Sequence, residues 1–495
     1  MAPIKYEQIS NFRWSSGDAS ERYDVVNPAT AEVITTVQGG GSIEVEKAVQ
    51  KAQKAFETDW KWRSPNERAA LLQKAAITLE NYVEELSILL SMENGKPVSQ
   101  AIGDVRGLIM GFRYFGSLID KLPSEFYDQG SIYASVIYEP HGVVVGILPF
   151  NWPPIHVGGK LGPALAAGNT VILKPAEQAP LTVLRIVDIL QDVFPADVVQ
   201  VIPAAGPVVP QALISHPDVR YISFTGSTGA GRAVSKTASE TITPLSLELG
   251  GKNAFIVFDD ADVDLAVRNA LDGAFFNQGE ACTAASRILV QRGIHDAFIS
   301  KMAAGVRRIQ VGDGVEKTTH VGPLVTKDQQ QKVLEYIRIG LEEGAEIAAQ
   351  AEAPSDPKLR NGFFVRPTLF TKVTRNMRIA KEEIFGPVVT VTCFDTYEEA
   401  LSITNESEYG LVCSIHTSDM NKAWRASREV DAGIIFINNY LRNLLGTPFG
   451  GVKASGYGRE HCIQTLREYC RAKNIRFPSG RGTVPSWDML PSLLD

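Results

Sequence analysis

Apolar residues recur at helical spacing in two segments of the first hundred residues. Residues 43–56 and 67–92 carry them three and four positions apart with polar residues between, so each segment predicts an amphipathic helix. Gly95 and Pro97 follow the second segment, and both residue types are typical of the point where a helix stops. The pattern therefore predicts two helices that each bury one face.

Farther along, short apolar runs alternate with turn residues and helical patterns. Such an alternation predicts the buried strands of a parallel sheet in an α/β domain. The first series comprises residues 143–148, 170–173, 198–202 and 221–224, and the second comprises 254–258, 288–290 and 388–391. The change between them falls near Gly250 and Gly251, which we interpret as a domain boundary.

Two further segments, residues 131–138 and 474–477, predict β structure that no helix follows. Strands of this kind often leave the parent domain and pair with another subunit. We therefore expect them to serve in oligomerisation.

Length and charge narrow the class of protein. A chain of 495 residues exceeds what one hydrophobic core usually organises, so two or three domains are expected. The net charge of −7 arises from acids and bases mixed along the chain, which argues against nucleic acid and anionic membranes as partners. The five cysteines form no CxxC pair, the N-terminus lacks a signal-peptide pattern, and no apolar run approaches ~20 residues. These features predict a cytoplasmic protein.

The segment 275–283 places Cys282 among small and polar residues inside an apolar stretch. Gly279 and Ala281 are expected to leave room beside the sulfur for a second molecule, which is a setting for a reactive thiol. An inert buried cysteine is the alternative, and this segment alone leaves both open.

Four other positions offer chemistry beside such a thiol. Asn151 follows an apolar strand, where an amide donates to a developing oxyanion or simply caps a turn. Lys174 and Glu177 end the next strand and suit the hydroxyls of a ribose, or form a solvated ion pair. Glu248 lies between leucines, and burial would raise its pKa towards that of a general base unless a cation pairs with it.

A glycine-rich turn between strand and helix, residues 223–231, suits a pyrophosphate at the start of the helix. It is not a clean GxGxxG and lacks a P-loop ending, so alone it is a weak dinucleotide signal.

Together these motifs closely resemble the NAD(P)-dependent aldehyde dehydrogenase superfamily, over nearly the whole chain. The matching segments occur in the family's order and are 150–153, 173–177, 224–229, 248–252, 277–282, 382–387 and 448–456. The resemblance implies an α/β fold with a Rossmann-like cofactor domain, an α/β catalytic domain and a small β arm that makes homodimers or homotetramers. It implies these limits: cofactor domain 1–122 and 143–250, catalytic domain 251–454, a return to the cofactor domain over 455–473, and an arm of 123–142 and 474–495.

The resemblance also implies roles for individual residues. Cys282 would be the nucleophile, Glu248 the general base and Asn151 an oxyanion donor, with NAD as cofactor and no metal. The implied cofactor contacts are Ile147, Trp152, Lys174, Glu177, Gly226, Ser227, Leu249, Glu383 and Phe385. Glu248 favours hydrolysis of the acyl group over its transfer to coenzyme A. The acid at Glu177 favours NAD over NADP, with NADP as the alternative.

The substrate is expected to be a small-molecule aldehyde, bulky or aromatic. Trp152 and Phe449 would line its tunnel, and Gly158 and Gly159 fall where many relatives carry a bulky side chain, which implies a wider passage. His156 would face this tunnel or pack in the core. Arg442 offers an alternative, the capture of a substrate carboxylate in a semialdehyde, against plain surface solvation.

Two other classes of function stay open on the sequence. One is a catalytically idle relative used for binding or structure, and the other is a thiol hydrolase that works without cofactor. The joint presence of Cys282, Glu248 and Asn151 favours the enzyme that oxidises aldehydes.

Overall fold

The computed structural model describes residues 21–441 and 444–486. Its helices, in chain order, are α1 (Ser42–Thr58), α2 (Pro65–Glu80), α3 (Val83–Asn94), α4 (Val98–Leu118), α5 (Pro153–Ala167), α6 (Leu181–Leu190), α7 (Val208–Ser215), α8 (Thr228–Thr241), α9 (Val263–Phe275), α10 (His295–Val306), α11 (Lys327–Glu342), α12 (Arg378–Lys381), α13 (Tyr397–Asn405), α14 (Met420–Glu429) and α15 (Ile463–Glu468).

The strands, numbered in the same way, are β1 (Arg22–Asn27), β2 (Glu32–Gln38), β3 (Glu125–Asp128), β4 (Ile132–Pro140), β5 (Val143–Ile147), β6 (Thr170–Lys174), β7 (Val199–Val201), β8 (Val219–Thr225), β9 (Leu245–Glu248), β10 (Ala254–Val257), β11 (Arg287–Gln291), β12 (Glu346–Gln350), β13 (Thr368–Thr371), β14 (Val388–Phe394), β15 (Tyr409–Gly410), β16 (Val412–His416), β17 (Ile434–Ile437), β18 (Val452–Lys453), β19 (Gly456–Tyr457) and β20 (Cys470–Pro478).

The first large sheet has the strand order β19-β9-β8-β5-β6-β7, and all its pairings are parallel except that of β19. Every residue of β5 and β6 is buried. Helices pack on the sheet, so its central strands consist of apolar residues without alternation. The predicted parallel α/β sheet is confirmed.

The second large sheet has the order β12-β13-β14-β11-β10-β16-β17, and here only β12 runs antiparallel to its neighbour. The chain passes from the first sheet to the second between β9 and β10, where Gly250 and Gly251 lie. The domain limits given above stay a prediction.

One sequence expectation about the helices is wrong. The pattern over 67–92 predicted one helix, but the chain forms α2 and α3 with a break at Asn81 and Tyr82. Ser64 and Glu67 form a reciprocal cap at the start of α2, and Gly95 ends α3 in the left-handed conformation with φ of 93°. Helical spacing runs through the break because both helices bury the same side against α4.

A third sheet of three strands, β20-β4-β3, is antiparallel. It confirms the β structure predicted for 131–138 and 474–477 and extends the last strand to nine residues. Four large apolar side chains are exposed on it: Phe126, Tyr127, Ile475 and Phe477. Within the described segments, no helix has the length and apolar composition needed to cross a bilayer.

Candidate active site

Strand ends and one loop bring the predicted site residues together. In the first sheet β5, β8 and β9 are parallel neighbours, so the residues at their carboxyl ends share one edge. Glu248 is the last residue of β9, and Asn151 follows β5 just before α5. Cys282 reaches the same edge from the loop after α9, and its carbonyl accepts a hydrogen bond from Asn253 Nδ2 at 2.7 Å.

The loop before Cys282 is a tight turn. Asn277, Gln278 and Gly279 take positive φ values of 52°, 55° and 71°. Asn277 Nδ2 holds the turn by donating to the Glu280 carbonyl at 2.8 Å. Burial raises the pKa of the Cys282 thiol, and the nearby carboxylates of Glu248 and Glu383 raise it further. The resting sulfur is therefore a thiol that needs a base before it attacks.

The expectation that Gly279 and Ala281 leave room beside the sulfur is wrong for both residues. A Cβ on Gly279 would lie 2.3 Å from the carbonyl oxygen of Gly386, so this glycine allows two backbones to touch. Ala281 is buried in a small cluster with Trp152 and Ala284, which Cys282 also contacts.

Glu248 is buried, and it forms no ion pair with a cation of the described residues, which was the alternative to a general base. Neither carboxylate oxygen accepts a hydrogen bond from any residue that the structure describes. Burial raises its pKa well above the ordinary value and the Glu460 carboxylate raises it further, while the cations of Lys160 and Arg459 oppose the shift. A carboxyl group in this state holds its proton to higher pH than an exposed one does.

Asn151 is also buried, and the side chain of Lys96 holds its backbone carbonyl in place. Its carbonyl accepts from Lys96 Nζ at 2.6 Å, and Lys96 in turn pairs with Asp104 at 2.5 Å. Its Nδ2 donates to the Glu280 carbonyl at 3.1 Å. A primary amide carries two N–H bonds, so one remains for a ligand oxygen.

Two residues that sequence reasoning missed lie behind Glu248. Lys160 on α5 donates to Ser223 Oγ at 2.8 Å, Thr225 Oγ1 at 2.9 Å and Glu460 Oε1 at 2.9 Å. Although burial opposes it, the Lys160 ammonium holds the pKa of Glu460 down at about 2. A lone lysine in the apolar run 157–165 was a signal for the first residue, whereas nothing around Glu460 pointed to the second.

The predicted ribose residues line the opposite end of the same edge. Lys174 ends β6, and burial lowers its pKa while the Glu177 carboxylate raises it. Glu177 Oε2 accepts from the Gly206 N–H at 2.6 Å. A cleft of about 630 Å³ beside them is bounded by Phe150 and Glu177 on one wall and by residues 325–329 and Lys332 on the other.

The glycine-rich turn leads into α8 as predicted. Ser227 is the N-terminal cap of this helix, and its hydroxyl accepts from the Ala230 N–H at 3.2 Å. Nothing lies within 4 Å of the place where a Cβ on Gly229 would be, so the first turn of the helix is open on that side. Gly226 precedes the cap and stands against the ring of Phe224.

Glu383 and Phe385 approach from the second sheet. Glu383 Oε1 accepts from the Gly251 N–H at 2.9 Å, and only a glycine at 250 permits this approach, since a Cβ there would lie 2.3 Å from Oε2. The ring of Phe385 meets Phe150 edge-on at 5.8 Å. Ile147 and Leu249 are buried in one core cluster of the first sheet, so their side chains face its core.

The structure places most of the predicted substrate residues, and one lies outside the described part of the chain. Trp152 packs on Phe276 and beside Cys282, and Phe449 contacts the His461 ring at 5.6 Å. His156 is buried on α5. Arg442 lies outside the described residues.

The wider passage expected at Gly158 and Gly159 is not found. A Cβ on Gly158 would lie 3.0 Å from Leu108 Cα, so this glycine lets α5 pack on α4. At Gly159 the space is taken by the His461 ring, 3.2 Å from the position of a Cβ, and by Glu460 Oε2 at 3.5 Å.

Comparison with known proteins agrees with this geometry. Residues 14–475 match the sequence model of the Aldehyde dehydrogenase family. The chain is 58% identical over 479 residues to the aldehyde dehydrogenase citD of Monascus ruber, and the aligned region covers 97% of this chain and 95% of that protein. It is 40% identical over 479 residues to human retinal dehydrogenase 2, across 95% of this chain and 92% of that one. The crystal structure of PnpE from Pseudomonas sp. WBC-3 with nicotinamide adenine dinucleotide superposes with a TM-score of 0.93 at 39% identity, covering 96% and 97% of the two chains.

Proposed function

The chain belongs to the aldehyde dehydrogenase family, and from this premise we propose that it oxidises an aldehyde to a carboxylic acid with NAD, through a covalent intermediate on Cys282. One observation carries the proposal. Glu248 is a buried carboxyl group whose two oxygens have no partner among the described residues, and its charge acts on the Cys282 thiol. This is the arrangement of a general base beside its nucleophile.

The residues along the sheet edge fit NAD. The open first turn of α8 after Ser227 suits a pyrophosphate, because backbone N–H groups point out of a helix N-terminus. Lys174 and Glu177 suit the adenine ribose, and Glu383 with Phe385 the second ribose and the nicotinamide. NAD, when bound, accepts the hydride. Glu177 would repel a 2′-phosphate, so NAD is favoured over NADP.

The chain's own residues account for the covalent steps. Glu248 takes the proton of Cys282, and the thiolate adds to the aldehyde carbon to give a tetrahedral thiohemiacetal. The remaining N–H of Asn151 donates to its oxyanion, and losing such a donor typically costs ~10²–10³ in rate. After oxidation the acyl group is a thioester on Cys282. Glu248 passes the proton of Cys282 to solvent, and the free carboxylate then deprotonates a water molecule that attacks the thioester, so that the acid leaves and the sulfur takes up a proton again.

Lys160 and Glu460 tune this base. The Lys160 ammonium keeps Glu460 ionised. Burial is the larger cause of the raised pKa of Glu248, and the fixed negative charge of Glu460 adds to it. Glu248 can therefore hold the proton of Cys282 and later the proton of water. A base also favours hydrolysis over transfer of the acyl group to coenzyme A.

The aromatic side chains beside Cys282 support a bulky or aromatic aldehyde over acetaldehyde. One small cluster contains Trp152, with Phe276 and Cys282 packed against it, and Phe449 packs on the His461 ring. Turnover of acetaldehyde equal to that of benzaldehyde would count against this preference.

The three-stranded sheet supports a homodimer or homotetramer. Its exposed apolar side chains lie on strands that belong to neither large sheet, and within the described residues one edge of β20 pairs with no strand. Light scattering coupled to size exclusion measures the oligomer, and a monomer at micromolar concentration would refute this part of the proposal.

Cysteine replacement tests the mechanism. NADH formation is followed with acetaldehyde, benzaldehyde and succinic semialdehyde, using NAD and then NADP. Cys282→Ala should abolish turnover of every aldehyde, whereas the matched control Cys393→Ala, which changes a half-buried cysteine on β14, should leave it unchanged. Turnover that survives in Cys282→Ala would overturn the mechanism, and a clear preference for NADP would overturn the cofactor assignment.

A further inference from the structure

His156 is a buried polar side chain in the site that the mechanism does not use. It is only 5% exposed, and neither of its ring nitrogens meets a donor or acceptor anywhere in residues 21–441 or 444–486. Buried polar atoms almost always have a partner, and leaving one unpaired is costly. The ring therefore calls for a partner outside the described part of the chain, which a bound ligand would supply.

The position of His156 on α5 directs it towards the substrate. It lies one helical turn after Trp152, which packs beside Cys282, and one turn before Lys160. Residues four apart share one face of a helix, so His156 lies on the face of α5 that carries Lys160, which contacts Glu460.

Charged groups surround the ring on several elements. Glu460 and His461 face it from the segment before α15, Lys160 from its own helix, and Lys96 from the turn between α3 and α4. Burial is the largest influence and lowers the pKa of His156 to about 3. The ring is therefore a neutral imidazole, which offers one N–H donor and one nitrogen acceptor.

A second unpaired atom faces the same space. Oε2 of Glu460 has no hydrogen-bond partner in the described part of the chain, although Oε1 is held by Lys160. This oxygen stands 3.5 Å from the place of a Cβ on Gly159, one helical turn from His156. A group that both donates and accepts hydrogen bonds would match these atoms, and a hydroxyl is the smallest such group.

We propose that His156 is a specificity-determining residue, whose ring hydrogen-bonds a hydroxyl group on an aromatic aldehyde. The aromatic ring of the substrate lies against Trp152, Phe276 and Phe449 while its carbonyl meets Cys282. The preferred substrates are thus hydroxylated benzaldehydes and larger phenolic aldehydes. This inference rests on the proposed function and names its substrate class.

Steady-state kinetics test it on the full-length protein. The value of kcat/KM is measured for benzaldehyde, for its three monohydroxy derivatives and for the matching methoxy derivatives, which cannot donate a hydrogen bond. In wild type the best hydroxybenzaldehyde should exceed both benzaldehyde and its methoxy counterpart on the order of 10–100-fold, because a buried polar group is left unpaired without the hydroxyl.

Two variants assign that preference to the ring. His156→Leu should reduce it to about twofold while the KM for NAD stays near wild type. His156→Asn keeps a donor and an acceptor and should retain part of it. An unchanged melting temperature shows that both variants fold.

The outcomes separate this inference from the proposed function. Absence of NADH with every aldehyde would refute the proposed function itself. Cys282-dependent turnover of benzaldehyde without a hydroxyl preference would refute only the role of His156. A preference that survives in His156→Leu, or that the methoxy compounds share, would do the same, since it would then reflect ring electronics or another residue.

Discussion

The Glu248 side and the Glu460 side of the active site are equally buried, yet the protein leaves their two carboxyl groups in opposite states. No cation of the described residues pairs with Glu248, and burial raises its pKa, whereas Lys160, against burial, holds the pKa of Glu460 at about 2. Burial favours the protonated form of Glu248, whereas the Lys160 ammonium overcomes burial and keeps Glu460 ionised. A buried carboxyl group therefore becomes a base or a fixed charge according to the cations beside it.

The largest effect is expected from removing that neighbour. Lys160→Met leaves Glu460 as an unpaired buried carboxylate, and breaking a buried pair in this way costs about 3–5 kcal/mol in the free energy of unfolding. Denaturant unfolding at neutral pH measures it. The double variant Lys160→Met/Glu460→Gln is the control: it buries no charge and should recover most of the loss. If it stays as unstable as the single variant, packing rather than charge holds the Glu460 side together.

The pH dependence of this pair has a definite sign. The folded pKa of Glu460 is depressed to about 2 from an unfolded value of roughly 4.3. Its contribution to stability is therefore present above the unfolded value and is lost as pH falls through the folded one. The stability gap between wild type and Lys160→Met should accordingly narrow in acid.

On the other side, Glu248→Gln should remove activity and spare stability. It deletes the base, so kcat should fall by about 10²–10⁴, while the free energy of unfolding at neutral pH stays equal or rises, because burial disfavours the ionised form of this carboxyl group and a glutamine carries no such cost. Stopped-flow kinetics and denaturant unfolding of the same sample measure both. A large loss of stability would mean that Glu248 has a structural partner.

A smaller effect, on the pH dependence of kcat, separates the influence of Glu460 on the pKa of Glu248 from that of Lys160. The acid limb of the kcat profile reports the pKa of Glu248, since activity rises as this group loses its proton. Glu460→Gln removes a charge that raises this pKa, so the limb should move to lower pH. In that background Lys160→Met removes a cation that lowers it, so the limb of the double variant should lie at higher pH than that of Glu460→Gln. The opposite order of the two limbs would contradict the assignment of the limb to Glu248.

The smallest effect, on thermal stability, is expected from adding one methyl group beside His461 and Glu460. Gly159→Ala places a Cβ 3.2 Å from His461 Cε1, and the resulting strain offsets a helix-propensity gain of about 1 kcal/mol. Thermal unfolding should change by a few degrees at most. The same change at Gly158 meets the Leu108 backbone instead and serves as the comparison, with a larger loss expected.

The sequence was most informative where local pattern decides structure. Apolar runs predicted four strands of the first large sheet, β5 to β8, and three of the second, β10, β11 and β14, and leucines on either side of Glu248 indicated a buried carboxyl group. Asn151 and Ser227 were found because each follows a strand end whose position the pattern predicts.

Features that depend on distant backbone were missed or misjudged. Gly279 touches Gly386 and Gly158 touches Leu108, and neither contact leaves a trace in nearby sequence, so both glycines were mistaken for open space. The partner of Lys160 lies 300 residues away, and no spacing rule connects the two. The break between α2 and α3 was hidden because both helices keep one apolar side against α4.

The strand β19 has a consequence for how the protein is made. Gly456 pairs with Glu248, and only a few residues later Glu460 reaches Lys160, so the surroundings of the base include a segment that is synthesised long after it. At about 5–20 residues per second, Lys160 waits roughly 15–60 s for its carboxylate during synthesis. A nascent chain that stops before residue 456 carries Cys282, Asn151 and Glu248 but lacks Glu460, so the enzyme should become active only after residue 460 has left the ribosome.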